Sequence, residues 1–212
     1  MLAVDAGLDF VHPVLRGAVY EQIPPLERQA LHLKAAGLLK DRGAESERVA
    51  RHVLRLPPAG DRGRVAVLRA AAREASARGA AGAAARYLRR ALEEPPAPDE
   101  RGTVLHELGF AEATDRQRDR FEEHLRAAMA VTSDPQSRAR IALDLGFAFV
   151  SNGEFRAAVD VLEGALRDLD DPDAELSVAL EAELLASATV DFTAAEIARR
   201  HLERRFDQLR AG

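Results

Sequence analysis

The chain has 212 residues and a net charge of −5, with 47% apolar, 31% charged and 5% aromatic residues. That length holds one domain or one elongated array, and such a balance excludes wholesale disorder. Cysteine is absent, which excludes a disulfide framework, a thiolate metal site and a cysteine nucleophile.

Pro and Gly divide the sequence into helical segments. Leu8 to Val11 is short enough for a strand, and Pro13 to Gln22 reads as a helix with Pro at an early position, where its missing N–H costs nothing. Leu26 to Arg42 is an amphipathic helix that ends at Gly43. Ser46 to Leu56 follows with Ser46 as the expected cap, and Pro57-Pro58 closes it. Arg64 to Arg78 and Ala81 to Glu94 form a helix pair joined at Gly79. Glu100 to Ala113, Arg120 to Val131, Gln136 to Ser151, Glu154 to Leu169, Ala174 to Val190 and Ala194 to Leu209 complete the series. Ala, Leu and Arg dominate and β-branched runs are nearly missing, so an all-α fold is expected. Short connections make successive helices antiparallel neighbours.

Charge is uneven. Residues 1–60 carry 8 basic and 7 acidic side chains, residues 61–133 carry 13 and 12, and residues 134–212 carry 9 and 16. A chain without a basic stripe is a poor binder of duplex DNA, which requires phosphate neutralisation. No stretch reaches the roughly 20 apolar residues of a membrane span and no signal-peptide pattern opens the chain, so a cytoplasmic protein without membrane contact is expected.

The helices repeat. Ala84, Leu88, Ala91 and Leu92 recur as Ala158, Leu162, Ala165 and Leu166 at an offset of 74, twice 37. Phe121, Leu125, Ala128 and Met129 form the midpoint copy. Upstream at a constant distance lie Ala71-Ala72, Leu108-Gly109 and Leu145-Gly146. A small residue at a crossing lets two helices approach closely, and the large one fills the adjacent gap. Three copies therefore begin near Val65, Gly102 and Ala139. This pattern resembles the tetratricopeptide repeat, whose period of roughly 34 residues each copy would exceed by about three. Leu145, Gly146, Phe149, Gly153, Phe155, Ala158, Ala165 and Leu166 stand in that family's order. Phe121 departs from it, where a small residue is expected. A degenerate fourth hairpin is expected from Ala174 to Leu209. The resemblance implies a right-handed superhelix of antiparallel helix hairpins.

A second resemblance lies at the start. Phe10, His12-Pro13 and an apolar helix ending in Tyr20 are followed by a helix carrying His32. This is similar to the end of the winged-helix module in MalT-like, LuxR-class ATP-dependent transcriptional regulators, which continue into such repeats. Val11 stands where that family usually has Arg. The resemblance implies a winged-helix remnant at 1–25, connecting helices at 26–60 and tetratricopeptide-like repeats at 61–212. No Gly-x-x-x-x-Gly-Lys-Ser/Thr phosphate loop occurs, so ATP or ADP would be met only through a separate ATPase module, and no cofactor is expected in this chain. The chain would be an internal piece of such a regulator. In related signalling ATPases a His placed like His12 faces the nucleotide phosphates, which implies nucleotide sensing in an assembled regulator; capping of its own helix also fits.

Catalytic chemistry is not indicated. His12, His32, His52, His106, His124 and His201 form no close metal-ligand spacing, and no nucleophile elbow is present, so neither a metal nor an enzyme is expected. Glu93-Glu94 and Glu122-Glu123 read as ordinary surface charges. Repeat arrays bind on a concave face lined by the first helix of each pair. The register places Arg69, Arg73, His106, Phe110, Arg140 and Phe147 there, although the two phenylalanines also fit core positions. Arg beside exposed aromatics suits a protein partner or a small anionic or peptide ligand. An uncovered end of the array makes a homodimer a further expectation.

Overall fold

The computed structural model describes residues 2–4, 8–10, 13–94, 96–115, 120–171 and 174–211. Two short antiparallel strands come first, β1 (Leu2–Val4) and β2 (Leu8–Phe10), in the register Leu2↔Phe10 and Val4↔Leu8. Eleven α-helices follow among the described residues: α1 (Pro13–Gln22), α2 (Pro25–Asp41), α3 (Ser46–Val53), α4 (Arg62–Ala77), α5 (Ala81–Glu93), α6 (Pro98–Thr114), α7 (Phe121–Val131), α8 (Pro135–Ser151), α9 (Phe155–Arg167), α10 (Glu175–Val190) and α11 (Ala195–Ala211). A 3-10 turn, Phe192–Ala194, precedes α11. Leu8 to Phe10 is the expected short strand. Its partner β1 had no signal of its own in the sequence. His12 and Val11 lie outside the described residues.

The punctuation that divides the sequence also has the period of the repeat. Pro98 opens α6 and Pro135 opens α8, each in the first turn, where no backbone donor is lost. α4 starts instead with Asp61, whose carboxylate accepts from the backbone N–H of Gly63 at 2.7 Å. The turns α4–α5 and α8–α9 share one geometry. Gly79 and Gly153 have φ of +74° and +78°, which only glycine adopts without strain. Ala80 N–H then donates to Ala75 and Glu154 N–H to Phe149, both at 2.9 Å, closing the freed carbonyls of the helix ends.

Ser46 does not cap α3. Glu45 holds the cap position without a side-chain bond. The free donors at that end, the N–H groups of Ser46 and Glu47, go to the Glu74 carboxylate of α4, both at 3.0 Å. A carboxylate at a helix N-terminus answers both the orphan donors and the positive end of the dipole.

The pairs α4–α5, α6–α7, α8–α9 and α10–α11 stack in sequence, with α2 and α3 continuing the stack ahead of them. Buried side chains form two adjoining groups, one from Ala36 to Ala111 and one from Leu105 to Ile197. The large residues of the repeat, Leu88, Leu125 and Leu162, are at most 1% exposed. Each such burial stabilises by about 1.5–3 kcal/mol. The small residues sit opposite them. A Cβ placed on Gly109 would lie 2.6 Å from Leu125 Cγ, and one on Gly146 2.9 Å from Leu162 Cδ2. The second copy therefore keeps the close crossing although Phe121 departs from the family's order. Phe121 opens α7, is buried, and meets the edge of Phe149 at 6.0 Å between ring centroids. The fourth hairpin is present, about three residues off the 37-residue period.

Glu94 is not a surface charge. Its neighbour Glu93 is exposed, but the Glu94 side chain is fully buried. Oε2 accepts from the N–H groups of Ala59 and Asp61 at 2.8 and 3.2 Å, and Oε1 accepts from Arg90 and Arg64 at 2.7 and 3.2 Å. One carboxylate thus ties the segment before α4 to the end of α5. Glu112 plays a similar part between pairs: buried on α6, it joins Arg89 of α5 at 2.8 Å to His124 of α7 at 2.7 Å.

Candidate binding face

The first helices of successive pairs touch, α6 with α8 and α8 with α10. Polar side chains bridge α4 to α6 and α6 to α8. Arg69 donates through Nε and Nη2 to the two oxygens of Glu107, each at 2.9 Å. This bidentate pair holds the guanidinium above its ordinary pKa range, the Glu107 hydrogen bond being the largest cause and burial opposing it. One period on, His106 Nε2 lies 2.6 Å from Asp144 Oδ2. Among the described residues no such bridge joins α5 to α7 or α7 to α9 directly. Side-chain bridges thus link each of the first helices α4, α6 and α8 to the next.

The remaining groups lie along these helices. Arg73, one turn after Arg69, is 64% exposed at its side chain and 3.8 Å from Glu107. Phe110 and Phe147 are 51% and 48% exposed, at equivalent positions of α6 and α8. They are not core. The next hydroxyl in each helix repeats as well: Thr114 donates to the Phe110 carbonyl at 2.9 Å and Ser151 to the Phe147 carbonyl at 2.8 Å. Arg140 is exposed and makes no hydrogen bond or ion pair with the described residues. It shares a polar cleft of about 400 Å³ with His106, Thr103, Thr132 and Ser133.

Of the six residues expected here, the fold gathers Arg69 and Arg73 around Glu107, places His106 beside the Arg140 cleft, and spaces Phe110 and Phe147 by one repeat. It does not join the Arg73 and Arg140 side chains to each other by any bond among the described residues. Sequence reasoning missed Glu107 and Asp144, which engage two of the expected residues, Arg69 and His106. Their signal was available. Each acid stands 38 positions after its base, one period plus one, which sets partners side by side on adjacent first helices. No cluster of three or more metal-ligating side chains occurs among the described residues.

No protein-family model and no curated protein sequence matches the chain. Its architecture does match a crystal structure, described as kinesin light chain-like, of nearly identical TPR-like repeats from Podosopora anserina. The two superpose with a TM-score of 0.60 at 20% identity, over 92% of this chain and 95% of that one. The fold is tetratricopeptide-like. At that identity the match speaks to architecture alone. Phe110 and Phe147 thus recur as solvent-exposed rings at one position of successive first helices in this stack. No helix among the described residues is long and apolar enough to cross a membrane.

Proposed function

We propose that the chain is a non-enzymatic, cytoplasmic binding module whose groove takes a protein segment or a small anionic ligand. One observation carries this reading: Phe110 and Phe147 stay half exposed at the same position of successive first helices. Large apolar rings cost free energy in water and serve as anchors where a partner covers them. Arg73 and Arg140, on the same first helices, are the expected cations least engaged by internal partners, suited to carboxylate or other anionic groups. Arg69 and His106 act chiefly as the wall that shapes the groove.

The finer reading is a sensor module of a LuxR-class ATP-dependent regulator. It rests on Phe10, His12-Pro13 and Tyr20 ahead of a repeat array. In that reading 1–25 ends a winged helix, 26–60 connects, 61–212 senses, and His12 contacts nucleotide held by an ATPase module. A free-standing interaction scaffold is the alternative.

Peptides selected on the immobilised chain test the groove. Phe110→Ser with Phe147→Ser is expected to weaken the selected peptides at least tenfold, and Arg140→Ala to weaken the acidic ones, with unchanged circular dichroism. Equal affinity across all three proteins would place binding elsewhere. The chain alone is also expected to give no ATP turnover and no duplex-DNA shift. Turnover above a no-protein control would overturn the non-enzymatic reading.

A further inference from the structure

α2 reaches the core of the array through Ala36 and the partly buried Leu39. Among the residues of α1 and α2 whose burial is described, Ala36 alone is buried, while Leu26, Leu31, Leu33 and Leu38 are exposed. A chain of rings also crosses the three N-terminal helices. Tyr20 Oη of α1 lies 2.9 Å from Nε2 of His32 on α2. Nδ1 of His32 lies 2.9 Å from Nδ1 of His52 on α3. The ring centroids are 5.9 and 5.2 Å apart, and the Arg28 guanidinium lies 5.1 Å from the Tyr20 centroid.

Two ring nitrogens at that distance share a single hydrogen, one donating and the other accepting. The relay can run in either direction. If His32 Nδ1 donates, its Nε2 accepts from the Tyr20 hydroxyl. If His52 Nδ1 donates, His32 Nε2–H donates to Tyr20 Oη. One added proton is also accommodated, because a charged His32 donates at both ends. A second is not: two N–H groups would then face each other across the same gap, each on a cationic ring.

We infer that Tyr20, His32 and His52 form an acid-sensitive latch, closed near neutral pH, which releases α1 and α2 from α3 and the repeat array when both imidazoles are charged.

The surroundings favour that behaviour. Burial, then His52, Arg55 and Arg28, hold His32 below the ordinary imidazole value of 6.5, and burial does the same for His52. The groups that face the pair are Tyr20 from α1, Arg28 from α2 and Arg55 just after α3; among the described residues no carboxylate acts on it. The open form therefore binds protons that the closed form refuses. By linkage the latch is at full strength above pH 6.5 and weakens as pH falls below that value, levelling once the closed form is protonated too.

Amide hydrogen exchange of the full chain at pH 7.5 and pH 5.5, corrected for intrinsic rates, tests this. Protection of α1 and α2 is expected to drop at least tenfold at pH 5.5, with α8 and α9 unchanged. His52→Asn places a non-titrating amide where Nδ1 stood and is expected to keep α1 and α2 equally protected at both values. Acid loss that persists in His52→Asn, or equal protection in the wild type, overturns the latch. If His52→Asn fails to hold α2 at neutral pH, ring-proton NMR of the wild type decides. Coupled steps of His32 and His52 below 6.5 support the latch, and independent single steps near 6.5 overturn it.

Discussion

Glu94→Ala is expected to lower the stability of the fold by about 3 kcal/mol at pH 7, the largest loss from any single carboxylate here. The substitution removes four hydrogen-bond partnerships at once. It frees the N–H groups of Ala59 and Asp61 and leaves the buried Arg90 with only the Leu56 carbonyl and a 3.6 Å contact to the exposed Glu93. The buried guanidinium is the costly part, since its desolvation remains while its short, fully buried ion pair is gone. The same site predicts a pH dependence. Burial alone would raise the Glu94 pKa, but the Ala59 N–H, Arg90, the Asp61 N–H and Arg64 outweigh it and bring it to about 2, against an ordinary 4.5. A carboxyl depressed in the folded state stabilises fully above the unfolded value and loses that contribution as pH falls through the folded one. The gap corresponds to about 3 kcal/mol at about 1.4 kcal/mol per pH unit. Urea midpoints for wild type and Glu94→Gln should differ strongly at pH 7 and converge between pH 4.5 and 2. A constant difference across that window would show that Glu94 is not held ionised by these partners.

Gly109→Val is expected to destabilise by about 3 kcal/mol, at the upper end of overpacking effects. A Cβ at Gly109 would stand 2.6 Å from Leu125 Cγ and 3.1 Å from the Leu125 backbone nitrogen. Neither atom is the free end of a flexible chain, so α6 and α7 must separate or the leucine must leave its rotamer. Gly164 supplies the contrast in the same protein. It is also helical, and a Cβ there meets nothing within 4 Å. Gly164→Ala should stabilise by about 1 kcal/mol, the ordinary gain from replacing glycine inside a helix. For a chain of this size the first change lowers the melting temperature by roughly 6–12 °C and the second raises it by a few degrees. Melting curves that move the same way for both would show that Gly109 is not a point of close approach.

Local order was legible in the sequence because it depends on neighbours a few residues away. The Pro and Gly positions set the helix ends, and α1 runs from Pro13 to Gln22 as the pattern requires. The repeat was legible because each copy must solve the same packing problem. Gly109 and Gly146 meet Leu125 and Leu162, and Ala72 and Leu88 are buried at the same positions one period earlier, so small and large residues recur with one period. The exposure of Phe110 and Phe147 was not legible, since an aromatic on a helix satisfies the same periodicity whether it faces a neighbour or solvent.

Tertiary structure alone decided which polar groups meet outside the period of the repeat. Glu94 and Glu93 are adjacent acids with the same propensity, yet a helix turns about 100° per residue, and only Glu94 reaches Ala59, Asp61 and Arg64. Ser46 has the residue type of a cap, but Glu74 arrives from α4 with a stronger acceptor. His32 and His52 share no motif and stand 20 positions apart; the packing of α2 on α3 brings their nitrogens to 2.9 Å. Helix ends and repeat period are short-range or self-repeating quantities that a sequence carries openly. The partner of a buried charge depends on the rotation of two helices about their axes, and that angle is set only when the whole stack packs.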